Sequence, residues 1–374
     1  TEKIPDRVTY IRYSLSRLNT PSIHPWLLDI DSKLIRGEAC ALAASQLLEQ
    51  GFTPDLICAH PGWGESLFLR DVWPDTPILS YQEFYYSARG KDYDFDPELQ
   101  GLPDLNSCAK LRMKNANPLL TLESSTWNVT PTQFQLSTFP SCFHSRFSVI
   151  HDGIDTQKAS PNFALNNIIL PNELMLSRSN KIITFVNRNI EPYRGCHTFI
   201  RAIPHIQQAH PDAHVVIVGS SHGVSYGKAS EGLSWKDTYM NEISTKVDLS
   251  RIHFSGSLNY DSFISLLQIS SCHVYLTYPF VLSWSLLEAM SVGLPIVASN
   301  TEPVCEVVEH NQNGLLVDFF SPEHLADSVS NLLDNYDLAK RLGQNARSLI
   351  LDRFSLQVCV PNQPELLENV IHLS

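Results

Sequence analysis

Three features of this sequence predict an α/β chain built from two doubly wound, Rossmann-like domains. The first is length: 374 residues exceed what one hydrophobic core usually serves, so two domains are expected. Second, from Lys181 onward, short Val/Ile/Leu-rich runs alternate with amphipathic segments of helical length, the pattern of a parallel sheet covered on both faces. Third, the first half repeats that alternation less regularly, and a Ser-, Asn- and Pro-rich stretch at 156–180 reads as the linker between the two patterns. Two such domains facing one another across a cleft hold a ligand at the carboxyl ends of their strands.

In chain order, the first half is expected to place strands at 8–12, 55–58, 77–80 and 147–150, with helices at 27–50 and 105–122, each chosen on its period. The second half is expected to place strands at 182–186, 214–218, 251–254, 273–276, 295–298 and 315–317. The domains expected from this pattern are 1–165, 166–353 and a C-terminal segment 354–374 that returns to the first domain.

Composition narrows the function. With 43% hydrophobic and 18% charged residues, the chain has ample apolar material for a packed core. A formal net charge of -12 excludes nucleic-acid binding through a broad basic surface, which needs clustered Lys and Arg. The eight cysteines lie mostly in apolar runs without C-x-x-C spacing, so they read as buried thiols in a reducing compartment, the cytoplasm. No apolar run approaches the ~20 residues of a membrane span, and no signal-peptide pattern opens the chain. Peripheral membrane contact stays open. Asn128-Val-Thr130 matches a glycosylation triplet, which arises easily by chance.

The densest chemistry lies in the run Arg188-Asn-Ile-Glu-Pro-Tyr-Arg194-Gly195. It follows an apolar strand-like run and opens a helical segment, so two guanidiniums stand at the carboxyl end of a strand. Arg pairs bidentately with phosphate oxygens and stays charged at any working pH, which suits a nucleotide diphosphate; two solvated surface arginines are the alternative. The second run is Phe280-Val-Leu-Ser283-Trp284-Ser285-Leu286-Leu-Glu288. Ser283 or Ser285 is a credible helix N-cap whose first-turn N–H groups face phosphate oxygens. Glu288, about one turn in, can accept hydrogen bonds from ribose hydroxyls, or be an ordinary acid favoured by the helix dipole.

In the first half, His60-Pro-Gly62-Trp63-Gly64 ends one strand and Tyr81-Gln-Glu83 ends the next, so both point to one sheet edge. His60 and Glu83 are candidates for orienting reactants, although a lone His is more often structural. Gly62 and Gly64 allow close backbone approach, and Trp63 and Tyr81 offer rings to a sugar face. Asp92-Tyr-Asp94-Phe-Asp96 fails the calcium-loop pattern, since Pro97 stands where Gly is needed; it reads as a solvated acidic loop, and no metal ligand is assigned. The common NTPase, serine-hydrolase and zinc-protease motifs do not occur.

On those residues, the chain resembles family 4 of the glycosyltransferases, retaining enzymes of the GT-B fold that use nucleotide-diphosphate sugars. Arg188 and Arg194-Gly195 match the family's Arg and Lys-Gly positions, Glu288 through Pro295 match the second half of its E-x7-E motif, and His151-Asp-Gly-Ile-Asp155 and Asn313-Gly-Leu-Leu-Val317 match two further segments. The resemblance implies diphosphate binding by Arg188 and Arg194, ribose binding by Glu288, and catalysis without metal or cofactor. The sugar nucleotide is then a substrate, and the acceptor a carbohydrate, lipid-linked or small molecule. It departs from the family at Phe280, which replaces the first Glu of the motif, and at Glu83, which falls where the family has a catalytic-region His. Relatives also begin with a strand, a Gly-containing loop, a helix and a second strand, whereas this chain enters at the third strand, so the first domain is expected to be truncated at its N-terminus. Rival readings are another GT-B enzyme, such as a sugar-nucleotide epimerase or a phosphorylase, and a non-catalytic nucleotide-sugar-binding module.

Overall fold

The structure is a computed structural model that describes residues 5, 7–19, 22–171 and 173–373. Contacts divide the chain into two compact units, with one break between His151 and Asp152 and another between Val360 and Pro361; the segment from Pro361 onward packs with the first unit.

The first unit holds, among the described residues, a four-stranded parallel sheet whose spatial order follows the chain: β1 (Ile57–Ala59), β2 (Ile78–Tyr81), β3 (Trp127–Thr130) and β4 (Phe147–Val149). The helix Leu28–Glu49 runs nearly where its periodicity places it. Three expectations are corrected. Residues 8–12 form no strand and are exposed, since no described neighbour pairs with their backbone. β3 was not anticipated: Asn128 is fully buried and its amide donates to the Arg146 carbonyl at 3.2 Å, which also removes the glycosylation triplet from reach. The expected helix 105–122 is two, Leu105–Lys114 and Ala116–Ser124. Pro118 has no N–H to continue the earlier ladder, and Asn115 at the junction clamps the Tyr86 backbone, its Oδ1 accepting from the Tyr86 N–H at 3.0 Å and its Nδ2 donating to the Tyr86 carbonyl at 2.7 Å.

In the second unit, the stretch expected to be a linker carries a two-stranded antiparallel ribbon, β5 (Asn167–Ile169) with β6 (Met175–Ser177), pinned by the fully buried Leu176. Its main sheet is six-stranded and parallel, in the order β12 (Leu315–Val317), β11 (Ile296–Ser299), β10 (Cys272–Tyr275), β7 (Ile182–Asn189), β8 (His214–Ser220), β9 (Ile252–Gly256). All six anticipated strands are present. Their continuous apolar runs bury both faces: Ile182, Ile183, Val215, Val216, Ile296 and Val297 are wholly inaccessible. The chain builds outward from β7 through β8 to β9, then returns to β10 on the other flank of β7. The carboxyl ends of β7 and β10 therefore meet at the topological switch point, where such sheets bind ligands.

The two ends of the second unit lie side by side. The Ile154 N–H donates to the Phe354 carbonyl at 2.7 Å and the Leu356 N–H to the Ile154 carbonyl at 3.0 Å. Beyond the later of these ends, the helix Asn362–Ile371 packs against β2. Cysteines divide between environments: Cys196, Cys272 and Cys359 are buried, but Cys58, Cys142 and Cys305 are exposed, which corrects the expectation of uniformly buried thiols. No described helix is long and apolar enough to cross a membrane.

The helix bearing Gly343 passes close to Gly293, because a Cβ at Gly343 would collide with the Gly293 carbonyl oxygen. Ala ordinarily favours a helix over Gly by about 1 kcal/mol. Here Gly343→Ala is expected to lower stability by about 1–3 kcal/mol through overpacking, measured by denaturant unfolding; an unchanged or raised midpoint would show that the helix shifts freely.

Candidate active site

In the second unit, both Arg-bearing and Ser-bearing turns stand at the switch point. β7 ends at Asn189 and a short turn, Pro192–Arg194, leads into the helix Cys196–Ala209 through Gly195. Gly195 has φ +72°, and a Cβ on it would strike the Leu276 side chain, so only glycine lets the turn press against the end of β10. Arg194 is thereby drawn inward and is only 7% exposed. Its Nη1 donates to Thr277 Oγ1 at 2.7 Å, the Val281 carbonyl at 3.0 Å and Tyr275 Oη at 3.3 Å. Its Nε and Nη2 have no acceptor among the described residues, which leaves the planar edge that pairs with phosphate. Arg188, by contrast, is exposed and unpaired among the described residues.

Tyr275 Oη joins the two turns, because it also accepts the Ser283 N–H at 2.8 Å. Ser283 is the N-cap of the helix Trp284–Ser291, and its hydroxyl accepts the Ser285 N–H at 3.3 Å while its carbonyl accepts the Leu286 N–H at 3.3 Å. Three of the N–H groups read from sequence as phosphate donors thus have protein acceptors, two of them long. The Leu286 side chain is wholly buried in the core and Trp284 is exposed. Glu288 is nearly buried, and burial raises its pKa above the usual carboxylate range, an effect the Tyr260 hydroxyl beside it partly offsets. Phe280 is buried edge-on against Tyr193, with ring centroids 5.1 Å apart.

Sequence reading gave no role to Tyr275, Thr277, Glu191 or Tyr226. Glu191, 1% exposed, accepts the Ser225 and Tyr226 N–H groups at 2.9 and 3.0 Å. Its place between the two arginines was a signal; its partners, more than thirty residues away, gave none.

In the first unit, the turn Pro61–Trp63 follows β1. Gly64 closes it at φ +102°, where a Cβ would lie 2.6 Å from Lys33 Cα. Asn117 holds the turn from behind, its Nδ2 donating to the Pro61 carbonyl at 2.7 Å. The His60 ring folds back to accept the Gly62 N–H at 3.3 Å, stacks on Tyr81 with centroids 5.7 Å apart, and sets Nε2 3.5 Å from Glu83 Oε2. A side chain at Gly62 would meet that ring, 2.7 Å from Cε1. His60, Tyr81 and Glu83 are thus brought together, with Trp63 exposed beside them. The acidic loop differs from the solvated one expected: Asp92 and Asp96 are buried, and Asp96 Oδ1 accepts the Glu98 N–H at 2.9 Å, so carboxylates there cap turns. No group of three or more His, Cys, Asp or Glu side chains among the described residues could hold a metal ion.

The Glu83 carboxylate raises the His60 pKa, outweighing burial, which lowers it. A raised folded-state value means that any stability the pair adds is fully present below the unfolded pKa and is lost as pH rises through the folded one. Glu83→Gln should therefore lower the His60 titration midpoint followed by NMR; a midpoint that stays put would show that the pair does not form.

Two family models match the chain: "Glycosyl transferase family 4 group" over residues 1–159 and "Glycosyl transferases group 1" over 171–349. Among curated relatives, an uncharacterised glycosyltransferase of Methanocaldococcus jannaschii is 29% identical over 52% of this chain and 46% of its own length. Spore coat protein SA of Bacillus subtilis is 27% identical over 60% and 59%. D-inositol 3-phosphate glycosyltransferase of Corynebacterium glutamicum is 25% identical over 79% and 67%. The chain thus spans about half the length of the first of these and under two thirds of the second. Among solved structures, sucrose-phosphate synthase from Thermosynechococcus elongatus superposes with TM-score 0.70 at 16% identity, over 96% of this chain and 83% of that one. Anabaena Alr3699/HepE, solved with UDP and glucose, gives 0.65 at 18% identity over 88% and 82%. The fold is GT-B, and the chain belongs to the glycosyltransferases, with the family 4 group matching its first part and group 1 its second.

Proposed function

We propose that the protein transfers a sugar from a nucleotide-diphosphate donor to a carbohydrate, lipid-linked or small-molecule acceptor, with retained anomeric configuration and without a metal. The observation that carries this reading is Arg194, a buried guanidinium anchored through Nη1 with its Nε and Nη2 edge left for a ligand. Cleaving the sugar–phosphate bond builds negative charge on the leaving diphosphate, and a preorganised cation stabilises that charge without solvent reorganisation. Arg188, exposed at the same strand end and unpaired among the described residues, supplies a second cation. Together they take the place a divalent metal would hold.

Glu288 would bind the ribose through its carboxylate and Trp284 would flank the nucleotide, while the long bonds at Ser285 and Leu286 are ones that a phosphate oxygen can replace. In the first unit His60 and Glu83 would orient the acceptor, with Tyr81 and Trp63 as its aromatic surface and Gly62 and Gly64 shaping the turn. A nucleotide-binding protein without transfer activity is the outcome to test against, since Phe280 offers no acceptor to a sugar hydroxyl.

Arg188→Ala and Arg194→Ala should each weaken nucleotide diphosphate binding about tenfold or more, since charge-assisted contacts contribute ~1.5–3 kcal/mol, and leave nucleoside binding nearly unchanged. Calorimetry with UDP, GDP and ADP against their nucleosides, repeated in EDTA, checks this; equal losses for both ligand classes, or binding and turnover that vanish in EDTA, would overturn the assignment. Ribose binding needs an ionised Glu288, whose pKa is raised by burial. Donor affinity should accordingly fall as pH drops through that raised value, and Glu288→Gln should bind more weakly at neutral pH and lose the acidic limb. A variant that keeps both the affinity and the limb would remove Glu288 from the site.

A further inference from the structure

Among the described residues Glu191 is a buried carboxylate with no cation in hydrogen-bond contact, although Arg194 and Arg188 are near enough to favour its charged form. Instead, one oxygen takes two backbone N–H groups, those of Ser225 at 2.9 Å and Tyr226 at 3.0 Å. These belong to the loop that leaves β8 and reaches the helix Trp235–Ile243, a stretch rich in Ser and Gly with little apolar content of its own to hold it down. Asn189, at the end of β7, adds a side-chain contact to the Ser225 hydroxyl at 2.7 Å. The consequence lies one side chain on. The Tyr226 ring sits 5.1 Å from the Arg194 guanidinium carbon, with Phe280 at 5.8 Å from that same carbon, and the Tyr226 and Phe280 rings are themselves 5.0 Å apart. Arg194 is therefore fixed by three acceptors at Nη1 and by two aromatic rings, while its Nε and Nη2 edge has no acceptor among the described residues.

We propose that Glu191 is a positioning residue: it ties down the loop at Ser225 and Tyr226 so that the Tyr226 ring packs on Arg194 and holds the guanidinium's open edge in place for diphosphate oxygens. The inference rests on the reading of Arg194 as a diphosphate ligand. A buried carboxylate is costly unless its oxygens are hydrogen-bonded; here the bonds go to the loop backbone, and the carboxylate stands in the same turn as the cation whose cover it fixes. Cation–π contact suits Arg because the ring face is negative and does not compete for the N–H groups. The Tyr226 hydroxyl has no part in this, so the ring alone should suffice.

The test uses the full chain and inorganic pyrophosphate, which presents the diphosphate without base, ribose or sugar. Glu191→Gln and Tyr226→Ala should each raise the pyrophosphate Kd about tenfold, while Tyr226→Phe stays within about twofold of the parent. Glu191→Gln, in which a neutral amide replaces the carboxylate, should speed hydrogen–deuterium exchange in the segment containing Ser225 and Tyr226, and pyrophosphate should slow it in the parent. In the Arg194→Ala background, neither Glu191→Gln nor Tyr226→Ala should weaken binding further, because both act through Arg194. Should Arg194→Ala itself leave pyrophosphate binding intact, the diphosphate reading fails, and this inference with it. Should Arg194→Ala weaken binding while Tyr226→Ala does not, or should Glu191→Gln add its full loss on top of Arg194→Ala, the positioning role alone is overturned. Tyr226→Phe keeps the test sharp if the Glu191 variant folds poorly, since a loss there would assign the effect to the hydroxyl.

Discussion

A guanidinium cannot leave water without acceptors to meet it, and much of the second unit is arranged to meet that of Arg194. Sheet order places β10 beside β7, so the strand after which Arg194 comes lies next to the strand that ends in Tyr275. Tyr275 and the residues just beyond it, Thr277 and Val281, supply the acceptors, and the same Tyr275 oxygen takes the N–H of Ser283. One phenol thus locks the Arg-bearing turn to the start of the Ser-bearing helix. Gly195 permits the approach, since any side chain would hold the turn away from Leu276. Fold and chemistry share one constraint: the cation is kept at the switch point by the pairing that builds the sheet.

The first unit solves its problem differently. His60 and Glu83 are each partly exposed and meet at 3.5 Å, a weak pair by geometry and by solvent screening. Its firmness comes from the turn beneath, through Asn117 and the close approach of Gly64 to Lys33. The second unit thus holds a cation fixed by several acceptors, whereas the first holds a pair whose strength depends on the protonation of His60.

How far the sequence could be read follows from how local each feature is. The second-unit strands were legible because a parallel strand buried on both faces must be apolar along its length. The arginines and Ser283 were legible because they punctuate strand-to-helix turns. β3 was not, because its buried positions include the polar Asn128 and Thr130, and the bond that lets Asn128 be buried, to the Arg146 carbonyl, is announced by no pattern in one chain. Residues 8–12 alternate as a strand would, but a strand is defined by its neighbour. Glu191, Tyr226 and Thr277 escaped for the same reason. Each acquires its role from a residue tens of positions away, and only the fold supplies the distance.

The hydrogen bonds that join Ile154 to Phe354 and Leu356 bring the two ends of the second unit together at one point, so that unit is an insertion in the first. Synthesis runs in one direction, and a domain generally folds as it emerges. The second unit has every strand it needs once β12 is made. The first must wait: its last helix, Asn362–Ile371, which packs on β2, is translated only after the whole insertion. Through the interval in which the second unit is made, one side of β2 therefore stands without the cover of that helix, while the six-stranded sheet of the second unit is already complete.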